Sequence, residues 1–255
     1  IPDSVTVIGD RAFGNCSLLE PINIPENILE IGEWAFENCS GLKNWDVVLP
    51  DTIQKISLGA FSGTAIKSLT TPFLGVGPNG ADYTERYSNH VGYMFGDEQW
   101  SGSYAAYDSV SERTYYLPKT LKNVTITKHI NNNNFENAEE IENIIVKDTV
   151  ESTEYPDNFA KNCKSLESVV FENTDKITRI GKYAFFSCVD LESFVIPENI
   201  VEIDTSAFGY CEFSEIQLPE NLKTIGVRAF ENCLGITSIV IPVSVETIGS
   251  FAFGC

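Results

Sequence analysis

The stretch IGEWAFENC, residues 31–39, decides the fold because the chain repeats close copies of it. The pair Ala-Phe recurs at seven positions, and an Ile stands five residues before each of these Phe residues. Proline residues such as Pro2, Pro25 and Pro50 mark the unit boundaries, at steps of about 22–25 residues. A unit of this length cannot bury its own apolar face, so neighbouring units must stack. The repeat therefore predicts a solenoid.

The consensus unit, I-P-x-x-V-x-x-I-G-x-x-A-F-x-x-C-x-x-L-x-x-I-x-I, has two parts. The closing L-x-x-I-x-I alternates as a short strand does, and Pro ends it because it cannot donate to a ladder. The A-F-x-x-C segment has the spacing of one helical turn packed against the core. We expect an α/β, right-handed solenoid of about nine repeats, with a parallel β-sheet on one face and short helical turns opposite.

Two segments carry a family resemblance: IPDSVTVIGDRAFGNC (residues 1–16) and LPENLKTIGVRAFENC (residues 218–233). They resemble the BspA-type leucine-rich repeats of bacterial surface proteins, which also occur in some protozoan parasites. The resemblance covers residues 1–72 and 118–255. It implies a leucine-rich-repeat solenoid that is secreted or attached to the cell wall and takes part in adhesion to host proteins or other cells.

Most of the cysteines occupy one column of the repeat, which Thr64 and Ala138 fill in other units. A position that accepts Cys, Thr and Ala requires a small side chain, and a free Cys behaves as one. One Cys per repeat offers no pairing for disulfides, and no C-x-x-C or clustered His gives zinc-like spacing. We therefore predict buried free thiols at Cys16, Cys39, Cys163, Cys188, Cys211 and Cys233.

The pattern breaks at residues 73–117, a Tyr- and Gly-rich insertion within one repeat of a single solenoid that spans residues 1–255. Repeat insertions form loops, and Tyr and Trp with Ser and Gly are typical of binding loops. Alternatively, the aromatic residues pack back onto the solenoid, which we favour for Phe73, Tyr93 and Phe95. The candidate binding residues of the insertion are Tyr83, Tyr87, Trp100, Tyr104 and Tyr107.

The strand register places a second set of candidates on the outer face of the sheet. Because parallel strands stack about 4.8 Å apart, successive repeats should align an apolar stripe beside a column of carboxylates. Such a surface suits a basic, partly apolar partner or a cation. Alternatively, β-branched residues suit any strand, and the carboxylates keep the sheet soluble. The stripe is Ile145, Val170 and Val195, and the column is Glu142, Glu167 and Glu192.

Charge and motif content exclude several functions. The formal charge of −19 disfavours nucleic acid and anionic lipid, which are bound mainly through Lys and Arg. No apolar run approaches the ~18 residues of a membrane span. The two histidines lack metal-ligand spacing, and no nucleophile elbow or phosphate-binding loop is present. We expect no catalysis, no metal and no cofactor.

The sequence thus predicts a segment of a longer array that acts as an extracellular, cell-surface or secreted module. Its expected role is non-covalent recognition of a protein, such as a host extracellular-matrix or cell-surface protein, with a glycan as another possible ligand. No nucleic acid and no direct membrane insertion are expected. The alternatives are a passive spacer within a larger surface protein and, more remotely, a secreted hydrolase.

Overall fold

The computed structural model describes residues 1–77, 89–150 and 152–255. Regular structure in this part of the chain consists of short strands and a 3₁₀-helix, Val91–Phe95. The strands are β1 (Val7–Ile8), β2 (Glu30–Ile31), β3 (Asp46–Val48), β4 (Lys55–Ile56), β5 (Ser68–Thr71), β6 (Ser103–Asp108), β7 (Arg113–Pro118), β8 (Asn123–Ile126), β9 (Asn143–Val146), β10 (Glu154–Tyr155), β11 (Ser168–Phe171), β12 (Arg179–Ile180), β13 (Glu202–Ile203), β14 (Thr224–Ile225) and β15 (Thr247–Ile248).

The first compact unit, Ile1–Asn134, contains two parallel sheets and a hairpin. One sheet pairs β1, β2 and β4 and aligns Ile8, Ile31 and Ile56 in a column. The other pairs β3, β5 and β8, with Leu69 opposite Val124. Strands β6 and β7 pair antiparallel. Because strands one repeat apart pair in parallel, the predicted parallel sheet is confirmed in this unit.

The second unit, Phe135–Cys255, repeats the arrangement. Strands β9 and β11 pair in parallel, and β10, β12, β13, β14 and β15 form a second parallel sheet. The side chains of Ile180, Ile203 and Ile225 align there, and all three are buried. Each unit is therefore a parallel β-solenoid. The right-handed coiling of the solenoid, its extent as a single domain of residues 1–255 and the insertion bounds of 73–117 remain predictions.

The predicted helical turns are wrong: each A-F-x-x-C segment is a chain of tight turns. Tyr183 and Ser187 flank Ala184-Phe185-Phe186 with φ angles of 54° and 59°, in the left-handed region. Residues in that region cannot continue a right-handed helix. The Phe185 amide donates instead to the Ala207 carbonyl of the next repeat, at 2.8 Å. The backbone is thus satisfied between repeats rather than within a helix.

Aromatic rings stacked across repeats fill the core. The rings of Phe185, Phe208, Phe230 and Phe253 follow one another at centroid distances of 5.5, 5.4 and 5.4 Å. Their interplanar angles are at most 12°, the parallel stacking that one residue type per column imposes. Such a ladder shows why the Ala-Phe pair recurs: the Phe fills the interior of its own unit and contacts the next one.

The cysteine column consists of free thiols, as predicted. Five are buried as predicted, but the predicted burial of Cys16 is wrong: Cys16, in the first turn segment, is exposed, as is Cys255, which lies outside the column. Each buried thiol donates to a backbone carbonyl of the preceding turn segment, as from Cys211 Sγ to Phe185 O at 3.1 Å and from Cys233 Sγ to Phe208 O at 3.1 Å. Burial raises the pKa of the Cys211 thiol well above its usual value. The buried thiols therefore join repeats, and burial disfavours the thiolate, the reactive form.

Part of the region that interrupts the repeat pattern occupies the same position in the solenoid as a regular repeat. The 3₁₀-helix takes the place of a turn segment: the Phe61 amide donates to Met94 O at 2.9 Å, and Phe95 continues the ring column beyond Phe61. Phe73, Tyr93 and Phe95 are buried, so the expectation that they pack onto the solenoid is confirmed. Among the described residues of this region, the β6–β7 hairpin differs from the repeat in its antiparallel pairing.

Candidate binding groove

The β9–β11 pair brings four of the predicted surface residues together. Its register sets Val170 opposite Ile145 and Val169 opposite Ile144. Val170 is 46% exposed and Ile145 is half-buried. The Glu167 amide donates to the Glu142 carbonyl at 2.8 Å, which stacks these two residues one repeat apart. The apolar stripe and the carboxylate column therefore begin as the register predicts.

The third member of each set behaves differently. Glu192 and Val195 are exposed, Val195 by 89%, but residues 191–196 form no strand, which corrects the expected continuation of the sheet. The interior position next to Val195 holds Phe194, whose ring packs 5.0 Å from that of Phe185 and 5.2 Å from that of Phe208. The paired strands carry Ile144 and Val169 at the equivalent position. Residues 213–218 and 236–241, which carry Ile216 and Ile239 at this position, also form no strand, so the loss of pairing does not depend on the Phe194 ring.

A groove of about 400 Å³ lies where this pairing is lost. Its floor is aromatic: the Tyr155 ring centroid lies 4.3 Å from that of Phe171 and 5.6 Å from that of Phe194. All three side chains are at least nine-tenths buried, and burial raises the pKa of the Tyr155 hydroxyl above its usual value. The walls and rim are formed by Glu167, Ser168, Val169, Val170, Thr174, Ser193, Val195 and Pro197.

The carboxylates near the groove differ in their partners. Glu172, just beyond β11, pairs with Lys147 at 2.6 Å, and this hydrogen bond lowers the pKa of Glu172. Glu167, on the groove wall, and Glu192, next to the wall residue Ser193, have no ion pair within the described part of the chain. The groove thus combines an apolar floor with uncompensated negative charge at its rim.

The comparison with family models is decisive for the repeat. The model of the BspA type leucine rich repeat region matches the chain in six copies, over residues 1–75, 105–212 and 178–255. The chain belongs to the BspA-type leucine-rich-repeat family. The match includes β7 and part of β6, so the family pattern resumes before the end of the sequence-defined insertion.

Solved structures of several bacterial leucine-rich-repeat proteins are similar to the BspA-type chain at low identity. A leucine-rich repeat protein from Bacteroides ovatus is 23% identical, with 98% of this chain and 73% of that chain covered, at a TM-score of 0.39. A leucine rich cell surface protein from Faecalibacterium prausnitzii is 19% identical, with 94% and 77% covered, at a TM-score of 0.42. The pneumococcal vaccine antigen PcpA is 18% identical, with 97% and 58% covered, at 0.33. No curated protein matches significantly.

The structure describes only some of the candidate binding residues of the 73–117 insertion, and these differ in exposure. Tyr83 and Tyr87 lie outside the described residues. Tyr104 is half-buried opposite Leu117, and Trp100 is half-buried with its indole Nε1 enclosed and without a hydrogen-bond partner among the described residues. Tyr107 is 48% exposed. Of the described candidates in the BspA-type insertion, Tyr107 offers the most accessible surface.

Two features of the second unit were missed at the sequence level. Tyr155 occupies the Ile column of the repeat, since it pairs with Ile180, and with Phe194 it forms the groove floor. The available signal was an aromatic residue in a column that otherwise holds Ile. Arg179 was missed because its four acidic neighbours are about one repeat away in sequence and come together only when the units stack.

The described residues hold neither a metal-ligand cluster nor a membrane-spanning helix. Within residues 1–77, 89–150 and 152–255, no three or more His, Cys, Asp or Glu side chains are grouped as metal ligands. In the same ranges, no helix has the length and apolar character needed to traverse a bilayer. The two histidines lie in different environments: the buried His90 accepts a hydrogen bond from the Gly92 amide, whereas His129 is exposed.

Proposed function

We propose that this BspA-type chain is a cell-surface or secreted binding module that recognises a protein partner without catalysis. The observation that carries the proposal is the groove beside β11, where exposed Val170 and Val195 adjoin an aromatic floor and the exposed carboxylate of Glu167. Apolar surface rimmed by polar groups is characteristic of interaction sites. The partner is a basic, partly apolar segment of a host extracellular-matrix or cell-surface protein.

The β6–β7 hairpin is a second, smaller contact through Tyr107. Trp100 and Tyr104 are half-buried, so much of their surface packs against the protein. We therefore assign the rest of the hairpin a structural role. A glycan ligand is the alternative partner at this position, since sugar rings stack on exposed aromatic faces as protein side chains do. A passive spacer is the alternative for the whole segment.

Binding of the purified chain to immobilised extracellular-matrix proteins, with and without their glycans, tests the proposal. Val195→Asp should weaken binding about tenfold because it places a charge over the apolar rim of the groove. Val240→Asp is the matched control, since Val240 is 84% exposed in the same unit but does not line the groove. Tyr107→Ala should reduce binding by a smaller factor.

The possible results separate the alternatives. Equal binding by wild type and Val195→Asp would remove the groove from the binding site. Failure of the wild-type chain to bind any matrix or cell-surface protein, in a folded state, would support the spacer. Loss of binding only after removal of the partner's glycans would favour sugar recognition.

A further inference from the structure

The backbone on both sides of the groove is open. None of the amide groups of Ser193, Phe194, Val195 and Ile196 donates to another backbone carbonyl, and no backbone hydrogen bond joins these residues to β11, within the part of the chain that the structure describes. In the paired repeat, by contrast, β9 and β11 are in register over four residues. Strand β11 is therefore the end strand of its sheet, and an open strand edge is a template for pairing with another extended chain.

The floor and rim define which chain would fit. An extended peptide presents successive side chains to opposite sides, so one set would face the floor made by Tyr155, Phe171 and Phe194. This set must be apolar. The other set, or the residue at the end of the pairing, would lie beside the exposed carboxylates of Glu167 and Glu192. Those residues must be basic.

We propose that the partner binds here by strand addition: an extended peptide segment pairs its backbone with the open amides of Ser193–Ile196. Its apolar side chains cover Tyr155 and Phe194, and a Lys or Arg pairs with Glu167. Main-chain pairing supplies affinity in this mode, and the alternate side chains supply specificity. The inference rests on the proposed function as a protein-binding module and names the partner class.

Other ligands would contact fewer of the groups that line the groove. A small apolar ligand would cover the aromatic floor but leave the row of backbone amides and the carboxylate of Glu167 without partners. Nucleic acid would face a chain of formal charge −19. A basic extended peptide meets the apolar floor, the backbone row and the negative rim together.

The test measures binding of a fluorescent, acetylated and amidated peptide in which Lys alternates with Val, by anisotropy. Its matched controls are the same peptide N-methylated at alternate residues, which removes backbone donors, and a peptide with Glu in place of Lys. We expect N-methylation to weaken binding about tenfold or more, because each lost hydrogen bond counts separately. The Glu peptide should bind weakly or not at all.

Variants of the chain complete the test. Val195→Pro removes one open amide without removing any backbone hydrogen bond seen here, and it should weaken peptide binding about fivefold or more. Val240→Pro, at another exposed and unpaired position, is the control and should leave binding unchanged. Glu167→Gln should weaken binding about two- to fivefold, with less effect at high salt. Thermal unfolding of each variant verifies that it folds.

The outcomes distinguish this inference from the proposed function. Equal binding of the parent and N-methylated peptides, or insensitivity to Val195→Pro, would overturn strand addition. If matrix proteins bind in a Val195-dependent way but the Lys-Val peptide does not bind, the binding module stands and the strand-addition mode falls. If neither the proteins nor the peptide bind, both proposals fall.

Discussion

At the scale of single residues, Arg179 is the most heavily engaged charge in the second unit. Its guanidinium contacts Glu154 at 2.5 Å, Asp157 at 2.8 Å and Asp204 at 2.7 Å, and its Nε lies 3.9 Å from Glu202. Only 24% of the Arg179 side chain is exposed. One cation therefore holds four carboxylates on the sheet that contains β10, β12 and β13.

Replacing Arg179 should destabilise the fold. Arg179→Gln leaves the four carboxylates to repel one another, and we expect the free energy of unfolding to fall by about 1–3 kcal/mol. This loss is smaller than that expected for breaking a fully buried ion pair, because Arg179 is partly exposed to solvent. Urea unfolding at neutral pH measures it. Arg228→Gln is the control, because Arg228 is 54% exposed beside Glu231 and should cost below about 0.5 kcal/mol. Equal losses for the two variants would contradict the role of Arg179.

Asp204 gives this cluster a pH signature. Burial acts to raise its pKa, but hydrogen bonds from Arg179 and the Thr205 amide outweigh burial and hold the pKa below its usual value of 3.8. A folded pKa below the unfolded one means that ionised Asp204 stabilises the fold above the unfolded pKa. That stability is lost as pH falls through the folded pKa.

Comparison of wild type with Asp204→Asn isolates this contribution. The difference in unfolding free energy should be about 1–2 kcal/mol at neutral pH, where the charge-assisted hydrogen bonds form. It should remain constant down to about pH 5 and shrink at lower pH as the wild-type carboxyl is protonated. Urea unfolding at neutral pH, at about pH 5 and at several lower pH values measures the difference. A difference that grows toward low pH would contradict the assigned shift.

The thiols provide a second residue-scale prediction. The five buried cysteines, including Cys188 and Cys211, have raised pKa values because burial disfavours the thiolate, which is the reactive form. A thiol-specific chromogenic reagent should therefore label the exposed Cys16 and Cys255 in the native protein and all seven cysteines only in denaturant. Rapid native labelling of all seven would show that the column is open.

At the scale of elements, the turn segments depend on residues that tolerate a positive φ. Asn162 has a φ of 61°, and its side-chain amide donates to Asn137 Oδ1 in the neighbouring repeat at 2.7 Å. The Asn before the column Cys thus supplies both the backbone conformation and a bond between repeats. Asn is enriched in the left-handed region because its short polar side chain bonds locally.

The two contributions of Asn162 can be separated. Asn162→Gly keeps the backbone conformation and loses the side-chain bond, at about 0.5–1.5 kcal/mol, whereas Asn162→Ala should lose about 1 kcal/mol more. Urea unfolding gives both values. At Asn199, whose φ is not positive, the order should reverse, because Gly there only adds flexibility to the unfolded chain. An Asn162→Ala variant as stable as Asn162→Gly would contradict the backbone argument.

The turn segments also show where sequence reasoning failed at this scale. The spacing of Ala12, Phe13 and Cys16 fits one helical turn, and periodicity alone cannot distinguish it from consecutive tight turns. The overlooked signal was the Asn or Gly before the column residue, as at Asn15 and Gly63. Two left-handed residues in such a short segment are incompatible with a helix, whatever its apolar spacing.

At the scale of the whole molecule, the dominant property is negative charge. The chain has seventeen Lys and Arg residues and thirty-six Asp and Glu residues. Many of the basic residues already form ion pairs between repeats, such as Lys55–Glu30 and Lys223–Glu246. The excess carboxylates repel one another, which opposes the compact state. Their field also attracts basic partners and raises the rate of association with them.

Salt should therefore stabilise this protein. Raising NaCl from low ionic strength to about 0.5 M should increase the Tm by a few degrees, because screening of general repulsion exceeds the weakening of exposed ion pairs. Differential scanning fluorimetry measures the shift. Choline chloride at equal ionic strength is the control, since screening alone predicts the same increase for both salts. A fall in Tm with either salt would show that the ion pairs outweigh the repulsion.

The sequence by itself determined the repeat, the family, the parallel sheets, the burial of most residues in the Phe, Ile and Cys columns and the pairing of Ile145 with Val170. These follow from local spacing, because each repeat places the same residue types at the same depth. Only the tertiary structure decided where the sheet ends, how one cation meets four carboxylates and how the aromatic floor of the groove forms. Each of these joins residues from different repeats, which lie far apart in the sequence and meet only when the repeats stack.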